Sequence, residues 1–233
     1  MKSLPDGYNA LVFGASGGLG SAIVDQLQHS AQCAHVEAVS RRSGHDFDLV
    51  DDSALSALAS RLAEQHGKFH LILDATGVLS VDGHAPEKSL KELDIDSMSR
   101  AFLINAIGPA LLIKQFSPLL PTKEKSIFAI LSARIGSIGD NRLGGWYAYR
   151  ASKAALNQFL RTASIEIARS NPNAVCVALH PGTVETALSQ PFARGRYTHT
   201  PAVAAARLLS VIDQTTPEQS GSFFAYDGSS IPW

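Results

Sequence analysis

The chain has 233 residues, of which 45% are hydrophobic and 18% are charged, and its formal net charge is −1 at pH 7. This composition predicts a sizeable folded core and excludes intrinsic disorder for most of the chain. The nearly balanced charge argues against nucleic acid or an anionic membrane surface as a partner.

The sequence carries no recognisable targeting or membrane signal. One early lysine is followed by Pro5, Asp6 and Gly7, which is typical of neither a signal peptide nor a transit peptide. No stretch approaches ~18 uninterrupted apolar residues, so we expect no membrane span. Cys33 and Cys176 lie too far apart in the chain to suggest a metal knuckle or a redox pair. We therefore expect a cytoplasmic protein.

Short apolar runs alternate with helical patterns along the whole chain. The predicted strands are 10–13, 35–39, 47–49, 69–73, 126–131, 174–179 and 222–225. The predicted helices are 19–27, a helix capped by Ser53 that ends near 66, 98–120 with a kink at Gly108-Pro109, 149–169 and 201–212. This alternation predicts one α/β domain, residues 1–233, with a doubly wound parallel sheet of Rossmann type and helices on both faces.

A glycine-rich turn follows the first predicted strand. Gly14, Gly18 and Gly20 form the pattern G-x-x-x-G-x-G, a variant of the dinucleotide fingerprint. Such glycines permit a tight turn, the approach of backbone N–H groups to a pyrophosphate, and close packing of helix on strand. An ordinary glycine-rich turn is the alternative, but the position between strand and helix favours dinucleotide binding. The candidate binding residues are Gly14, Ser16, Gly17, Gly18, Leu19 and Gly20.

The second predicted strand ends in Ser40, Arg41 and Arg42. An acidic residue usually binds the ribose hydroxyls at this position, whereas a 2′-phosphate requires cationic and hydroxyl donors. These residues therefore favour NADP(H) over NAD(H), with a solvated basic turn as the alternative. Asp48, followed by Leu49, could accept a hydrogen bond from an adenine amino group.

Tyr149 and Lys153 have the spacing of neighbours on one helix face. An ammonium at that distance is expected to lower the pKa of the phenol from ~10 toward the working pH. Tyr149 would then act as a general acid or base toward a carbonyl or an alcohol. The alternative is an amphipathic helix start with a solvated lysine. His66 and His70 also have this spacing, but no third ligand is near in the sequence, so no metal site is predicted.

The order and spacing of these motifs resemble the short-chain dehydrogenase/reductase family. The resemblance extends from about Tyr8 to the C-terminus and includes Asn105 with residues 106–109 and the segment 181–186. The stretch 136–147 and the ending 226–233 are similar to the C-factor and sniffer-like carbonyl reductases of that family.

The resemblance implies a catalytic tetrad of Asn105, a serine at the end of a strand, Tyr149 and Lys153. Tyr149 would donate the proton, Lys153 would lower its pKa and bind the nicotinamide ribose, and Asn105 would hold a helix kink and a relay water. A homodimer or homotetramer is also implied. The further cofactor contacts implied by the resemblance are Ala75, Gly77, Pro181, Gly182, Val184 and Thr186, besides Tyr149 and Lys153.

Two departures from the family pattern bear on this site. The usual Ser-Ser-x-x-Gly reads Ser132-Ala133-Arg134-Ile135-Gly136, so alanine stands where the catalytic serine is expected. Ser132 is the candidate replacement if the strand end is shifted, and Ser137 is a second candidate. The usual Asn-Asn-Ala-Gly reads Asp74-Ala75-Thr76-Gly77, which keeps only the glycine at its expected place.

The sequence thus predicts an NADP(H)-dependent oxidoreductase that reduces an aldehyde, ketone or quinone, or oxidises the matching alcohol, by hydride transfer. The alternative is a non-catalytic NAD(P)-binding signalling protein of the C-factor type. Ala133 and Asp74 favour that alternative, and the intact Tyr149–Lys153 pair opposes it. His180 is expected to pack rather than act as a base.

Overall fold

The computed structural model of the chain describes residues 1–45, 47–81, 83–193 and 195–233. All strand pairs are parallel, and the order across the sheet is β2-β1-β3-β4-β5-β6. The strands are β1 (Tyr8–Phe13), β2 (Cys33–Val39), β3 (Leu71–Asp74), β4 (Ser126–Leu131), β5 (Ala174–His180) and β6 (Ser222–Ala225). The helices are α1 (Gly18–Gln28), α2 (Asp52–His66), α3 (Ile95–Phe102), α4 (Gly108–Phe116), α5 (Tyr147–Ser170), α6 (Gln190–Ala193) and α7 (Pro201–Gln214). The predicted doubly wound α/β fold is confirmed.

The two faces of the sheet carry separate hydrophobic layers. Alternate residues of a strand point to opposite faces, and in β1 Leu11 and Phe13 enter one layer while Ala10 and Val12 enter the other. The first layer is covered by α2, α4 and α5, and the second by α1 and α7. Because both faces are covered, the inner strands β1, β3, β4 and β5 consist almost entirely of buried apolar residues.

The predicted strand at residues 47–49 is wrong. Residues 47–49 form no strand, and their apolar side chains instead pack against the edge of the first layer. The Phe47 ring stacks on Phe13 with centroids 5.8 Å apart, and Leu49 lies against Gly108, where an added Cβ would come within 2.5 Å of Leu49 Cγ.

The start of α2 and the interior of the long predicted helix differ from the prediction. Asp51, not Ser53, caps α2, since its Oδ1 accepts hydrogen bonds from the backbone N–H groups of Ser53 (2.9 Å) and Ala54 (3.0 Å). The predicted kink near Gly108-Pro109 is a π-helical segment, Leu103–Ile107, between α3 and α4. Single π-helical turns inside α-helices occur frequently at functional sites.

The helical run Ile95–Leu119 is long and apolar enough, by length and hydropathy alone, to cross a membrane. In this fold, however, it packs against protein. Leu112, Ile113 and Phe116 belong to the core layer, and the polar Asn105 is fully buried in its middle.

The sheet order reverses direction at β1, because β2 lies on one side of it and β3 on the other. The loops that leave the carboxyl ends of β1 and β3 therefore diverge and open a crevice, which is where doubly wound folds bind their ligands.

Candidate active site

A cleft of about 1060 Å³ lies at the carboxyl edge of the sheet. Its lining residues come from the ends of β1, β3, β4 and β5, from the start of α5 and from the segment around α6. Of the predicted residues, those that line it are Ser16, Gly17, Gly18, Leu19, Gly20, Arg42, Ala75, Gly77, Ser132, Tyr149, Lys153, Pro181, Gly182, Val184 and Thr186.

The glycine-rich turn is packed so closely that side chains would not fit. Gly14 has φ +74°, and a Cβ there would lie 2.7 Å from the carbonyl of Ala75. A Cβ on Gly20 would lie 2.3 Å from the Gly14 carbonyl oxygen, so helix α1 packs directly on the turn. A Cβ on Gly18 would lie 2.9 Å from Thr186 Cγ2 on the opposite wall. This bare backbone beside the start of α1 suits a pyrophosphate.

The residues expected to bind the 2′-phosphate occupy different positions. Ser40 is buried at the end of β2 and accepts a hydrogen bond on Oγ from the Arg42 backbone N–H (3.2 Å). Arg42 is exposed and lines the cleft, whereas Arg41 is exposed but is not among the described lining residues. Asp48 Oδ1 accepts a hydrogen bond from the Val50 N–H (3.0 Å), which shapes the loop ahead of α2.

Asn105 binds the segment that follows β3. Its Oδ1 accepts a hydrogen bond from the Val78 N–H (2.8 Å), and its Nδ2 donates to the Val78 carbonyl (2.9 Å) and to Ser152 Oγ (3.2 Å). A Cβ on Gly77 would lie 3.2 Å from Asn105 Oδ1 and 3.5 Å from Lys153 Nζ. The π-helical segment therefore brings Asn105, Gly77 and Lys153 together.

Lys153 lies in the floor of the cleft, where only 3% of its surface is exposed. Its ammonium donates a hydrogen bond to the Leu131 carbonyl (2.9 Å) at the end of β4. Burial lowers the pKa of Lys153 to about 8, although the charge of Asp74 acts in the opposite direction. Burial also raises the pKa of Asp74, against the hydrogen bonding of Thr76 and the charge of Lys153.

Tyr149 stands one helical turn before Lys153 and lines the cleft, but its ionisation differs from the expectation. Burial raises the pKa of Tyr149 to about 12. Desolvation of the phenolate is the cause of this shift, and its direction is opposite to the lowering expected from the lysine. The phenol keeps its proton throughout the neutral range.

The start of α5 is fixed by contacts from both sides. Gly144, Gly145 and Trp146 have left-handed backbones, with φ of 64°, 65° and 54°. The Trp146 N–H donates to the Glu87 carbonyl, and the Glu87 carboxylate accepts from the Ala148 N–H (3.1 Å), which places a buried acid at the helix N-terminus. Arg150 completes the arrangement, since its guanidinium donates to the backbone carbonyls of Gly144, Gly145 and Ile135 at 2.9–3.3 Å.

Ser132, the predicted replacement for the missing catalytic serine, lines the cleft, but its hydroxyl is engaged elsewhere. Its hydroxyl is buried and donates a hydrogen bond to Asn157 Oδ1 (2.6 Å) on α5, so its proton is directed into the packing between β4 and α5. This agrees with the alternation of a strand, which turns successive side chains to opposite faces. Ser137 Oγ accepts a hydrogen bond from the Asp140 N–H (3.1 Å) and is not among the described lining residues. Ala133 lines the cleft.

Another wall of the cleft is formed by residues at and after the end of β5. His180 lines the cleft, and burial together with the nearby Arg134 charge lowers its pKa to about 4, so its imidazole is neutral at neutral pH. Gly182 has φ +80°, and a Cβ there would lie 3.1 Å from the Tyr226 ring. Ser189 Oγ donates to the Val184 carbonyl and so closes the turn beyond Pro181.

Several residues that shape the site have no signal in the sequence. Glu87 and Asn157 act through contacts between segments distant in the chain, and no spacing rule identifies them. Phe192 comes from a short helix and meets the Trp146 ring edge-on at 5.6 Å. Trp146 in turn lies edge-on to Tyr149 at 6.2 Å, so these rings form one wall of the cleft.

The fold and the cleft define a Rossmann-type dinucleotide-binding protein with a tyrosine and a lysine in its floor. A family model described as short chain dehydrogenase matches residues 8–196. The chain belongs to the short-chain dehydrogenase/reductase family, whose members are NAD(P)-dependent oxidoreductases.

The chain is also similar to individual curated proteins and solved structures. The chain is 34% identical over 232 residues to 1-hydroxy-2-glutathionyl-2-methyl-3-butene dehydrogenase of Rhodococcus sp. strain AD45, which covers 96% of this chain and 98% of the relative. It is 40% identical over 147 residues to the C-signal protein of Myxococcus xanthus, and this match covers 62% of this chain and 84% of the relative. Among solved structures, the NADPH-bound carbonyl reductase from chicken fatty liver has a TM-score of 0.85 at 24% identity, covering 99% of this chain and 96% of that one. The carbonyl reductase Sniffer of D. melanogaster has a TM-score of 0.84 at 20% identity, covering 99% and 100%.

Proposed function

We propose that this protein is an NADP(H)-dependent carbonyl reductase, which also oxidises the matching alcohol in reverse. The observation that carries the proposal is that Tyr149 and Lys153 line the same cleft as the bare glycine turn and the segment after Pro181. When bound, the nicotinamide supplies or accepts the hydride.

The proton chemistry of the chain suits reduction. Tyr149 holds its proton at neutral pH because burial raises its pKa to about 12, and it can release that proton to a carbonyl oxygen that becomes an alkoxide. Lys153 is charged below its pKa of about 8, and its ammonium stabilises negative charge that develops on the phenol oxygen. The Leu131 carbonyl and Asn105 fix the positions of Lys153 and its surroundings.

The preference for NADP(H) rests on Arg42. Arg42 lines the same cleft as the glycine turn, and Ser40 Oγ holds the local backbone by accepting a hydrogen bond from the Arg42 N–H. A guanidinium binds a phosphate through charge-assisted hydrogen bonds that the ribose hydroxyls of NAD(H) cannot supply.

For the substrate we propose a carbonyl or alcohol on an apolar body that also carries an anionic group. Trp146 and Phe192 form an aromatic wall, and Arg142 and Arg196 also line the cleft. Within the described residues neither arginine forms an ion pair, whereas Arg134 is paired with Asp140 (3.1 Å). The glutathionyl alcohol in the name of the Rhodococcus relative carries carboxylates and supports this class.

The test is NADPH oxidation with a panel of aldehydes, ketones and quinones that includes matched pairs with and without a carboxylate. We expect turnover of the panel and a higher kcat/KM for the carboxylate member of each pair. Arg142→Gln and Arg196→Gln should lower kcat/KM for the carboxylate member and leave the neutral one within about twofold. Equal kcat/KM within the pairs would reject the anionic class while leaving the reductase activity standing.

A non-catalytic signalling role is the second candidate. Ala133 favours it, because the cleft has no hydroxyl where the family places one, and similarity to the C-signal protein supports it. Tight NADPH binding without turnover of any panel member would support this candidate over the reductase.

We also propose that the protein forms a dimer through α4 and α5, or a tetramer built from such dimers. Ile107, just before α4, and Phe159 and Ile165 on α5 are large apolar side chains that remain 42–49% exposed. Light scattering at micromolar concentration should give the mass of a dimer or tetramer, and a monomer would overturn this proposal.

A further inference from the structure

Three histidines surround Glu37 at the β2 edge of the sheet. His35 Nε2 and His66 Nε2 lie 3.1 and 3.2 Å from Glu37 Oε2, and His45 Nε2 lies 2.9 Å from Glu37 Oε1. All four side chains are partly buried, with 15–36% of their surfaces exposed. The catalytic cleft does not include these residues.

The fold brings this cluster together from three segments. His35 and Glu37 are alternate residues of the edge strand β2, so both point to the face that α2 covers. His66 ends α2, and its backbone carbonyl accepts a hydrogen bond from Asn9 Nδ2 (3.2 Å) on the next strand. The loop after β2 supplies His45. The sequence showed only His66 and His70 as a pair, and the partners of His66 come from a strand about 30 residues earlier.

The separations match those between the ligands of one metal ion. The ligand atoms of His35, Glu37 and His66 all lie within 4.8 Å of one another. In a tetrahedral zinc site with bonds of about 2.0–2.1 Å, ligand atoms are about 3.3 Å apart. The His35 and His66 rings stack with centroids 4.1 Å apart, and both direct Nε2 toward the same carboxylate oxygen, so small ring rotations allow both to reach one ion.

His45 has a different role from the other two histidines. Arg61 Nη2 lies 3.2 Å from His45 Nδ1, and arginine can only donate, so Nδ1 accepts and the proton of His45 is on Nε2. That proton is donated to Glu37 Oε1, which orients the carboxylate but leaves His45 without a free lone pair toward an ion. Such a partner positions a metal ligand rather than binding the metal.

We propose that His35, Glu37 and His66 bind a divalent transition-metal ion such as Zn²⁺, with water completing the coordination. Two imidazoles and one carboxylate are ligands that suit zinc and its first-row neighbours better than Mg²⁺ or Ca²⁺. The ion would join the edge strand β2 to the end of α2, next to the loop that carries Ser40 and Arg42. The carboxylate of Glu37 would offset part of the ionic charge.

The test uses the full chain after treatment with a chelator, titrated with Zn²⁺ by calorimetry and with Co²⁺ by visible absorption. We expect one ion per chain, a cobalt spectrum with the strong visible bands of tetrahedral coordination, and a higher Tm with Zn²⁺. Without stoichiometric zinc binding and without those bands, the proposal is overturned.

Variants locate the ion. His66→Gln and Glu37→Gln should each weaken zinc binding by at least about 100-fold, and His45→Gln by about 10-fold, the range for a group that orients a ligand. His70→Gln is the matched control, because His70 is also partly buried and bonds a single glutamate, Glu124 (3.1 Å). Equal loss of binding in His70→Gln and His66→Gln, or no loss in Glu37→Gln, would overturn the assignment. The effect of Zn²⁺ on Tm should be absent in Glu37→Gln and retained in His70→Gln.

Discussion

Asp74 at the end of β3 and Lys153 on α5 are both buried, and each stabilises the charged form of the other against the cost of desolvation. Burial drives their pKa values toward each other, since it favours the neutral acid and the neutral amine. Asp74 stands where the family usually has asparagine, so this pairing of buried charges distinguishes the chain from that pattern.

The first prediction concerns the pH dependence of reduction. Because the ammonium of Lys153 is needed and its pKa is about 8, kcat/KM should fall as the pH rises through about 8, while Tyr149 remains protonated. In Asp74→Asn the attraction that raises the pKa of Lys153 is lost, so the fall should begin at lower pH. Rates between pH 5.5 and 9.5 at saturating NADPH test this.

The matched control for that experiment is Asp140→Asn. Asp140 lines the same cleft but pairs with Arg134, so its removal should leave the midpoint unchanged. An unchanged midpoint in Asp74→Asn would show that the two buried charges do not interact as described.

The second prediction concerns the proton donor. Tyr149→Phe removes one hydroxyl and keeps the ring beside Trp146, so NADPH binding and Tm should barely change while kcat falls by about 10²–10⁴-fold. Lys153→Ala should weaken NADPH binding as well as turnover. Tyr147→Phe is the control, because Tyr147 is not among the described cleft residues. Loss of activity in Tyr147→Phe but not in Tyr149→Phe would contradict the assignment.

The third prediction follows from the alanine at the end of β4. Ala133→Ser places a hydroxyl in the cleft, where a hydrogen bond to the carbonyl oxygen should raise kcat by about 10-fold or more. Ser132→Ala should act on stability instead, since it leaves Asn157 Oδ1 buried without its donor at a cost of about 1–3 kcal/mol. Steady-state rates and thermal unfolding separate these effects, and the reverse pattern would restore Ser132 to the catalytic set.

The fourth prediction concerns cofactor choice. Removing the cation in Arg42→Gln should weaken NADPH binding by about 10- to 150-fold, the equivalent of about 1.5–3 kcal/mol, and leave NADH binding unchanged. Arg41→Gln should have a smaller effect, because Arg41 does not reach the described lining of the cleft. Fluorescence titration of the wild type and both variants with each cofactor measures the dissociation constants. If wild type binds NADPH and NADH equally, the preference for NADP(H) is wrong.

Local signals in the sequence predicted most of the fold. The strands other than 47–49 were found because buried apolar runs bounded by turns are typical of parallel sheets. The glycine turn and the Tyr149–Lys153 spacing were found because each pattern spans only a few residues of the chain. Residues 47–49 were misread because the short alternation of Phe47, Asp48 and Leu49 looks the same whether it forms a strand or packs on a neighbour such as Phe13.

The remaining features depend on contacts between distant segments. The direction of the Ser132 side chain depends on where β4 ends. A shift of one residue along the strand would turn this side chain to the opposite face of the sheet. The pKa of Tyr149 depends on how deeply the phenol is buried, which helix spacing does not indicate. The histidine cluster joins β2, the following loop and α2, and only the folded arrangement reveals it.

The contact of Glu87 with the start of α5 has a consequence for local stability. The first turn of that helix relies on a segment some 60 residues earlier, so it can open by undocking of that segment while the rest of α5 stays folded on the sheet. Amide hydrogens at the start of α5 should then exchange in step with the segment around Glu87 rather than with the middle of their own helix. The protein could thus lose the position of Tyr149, and with it turnover, well below the temperature at which the sheet unfolds.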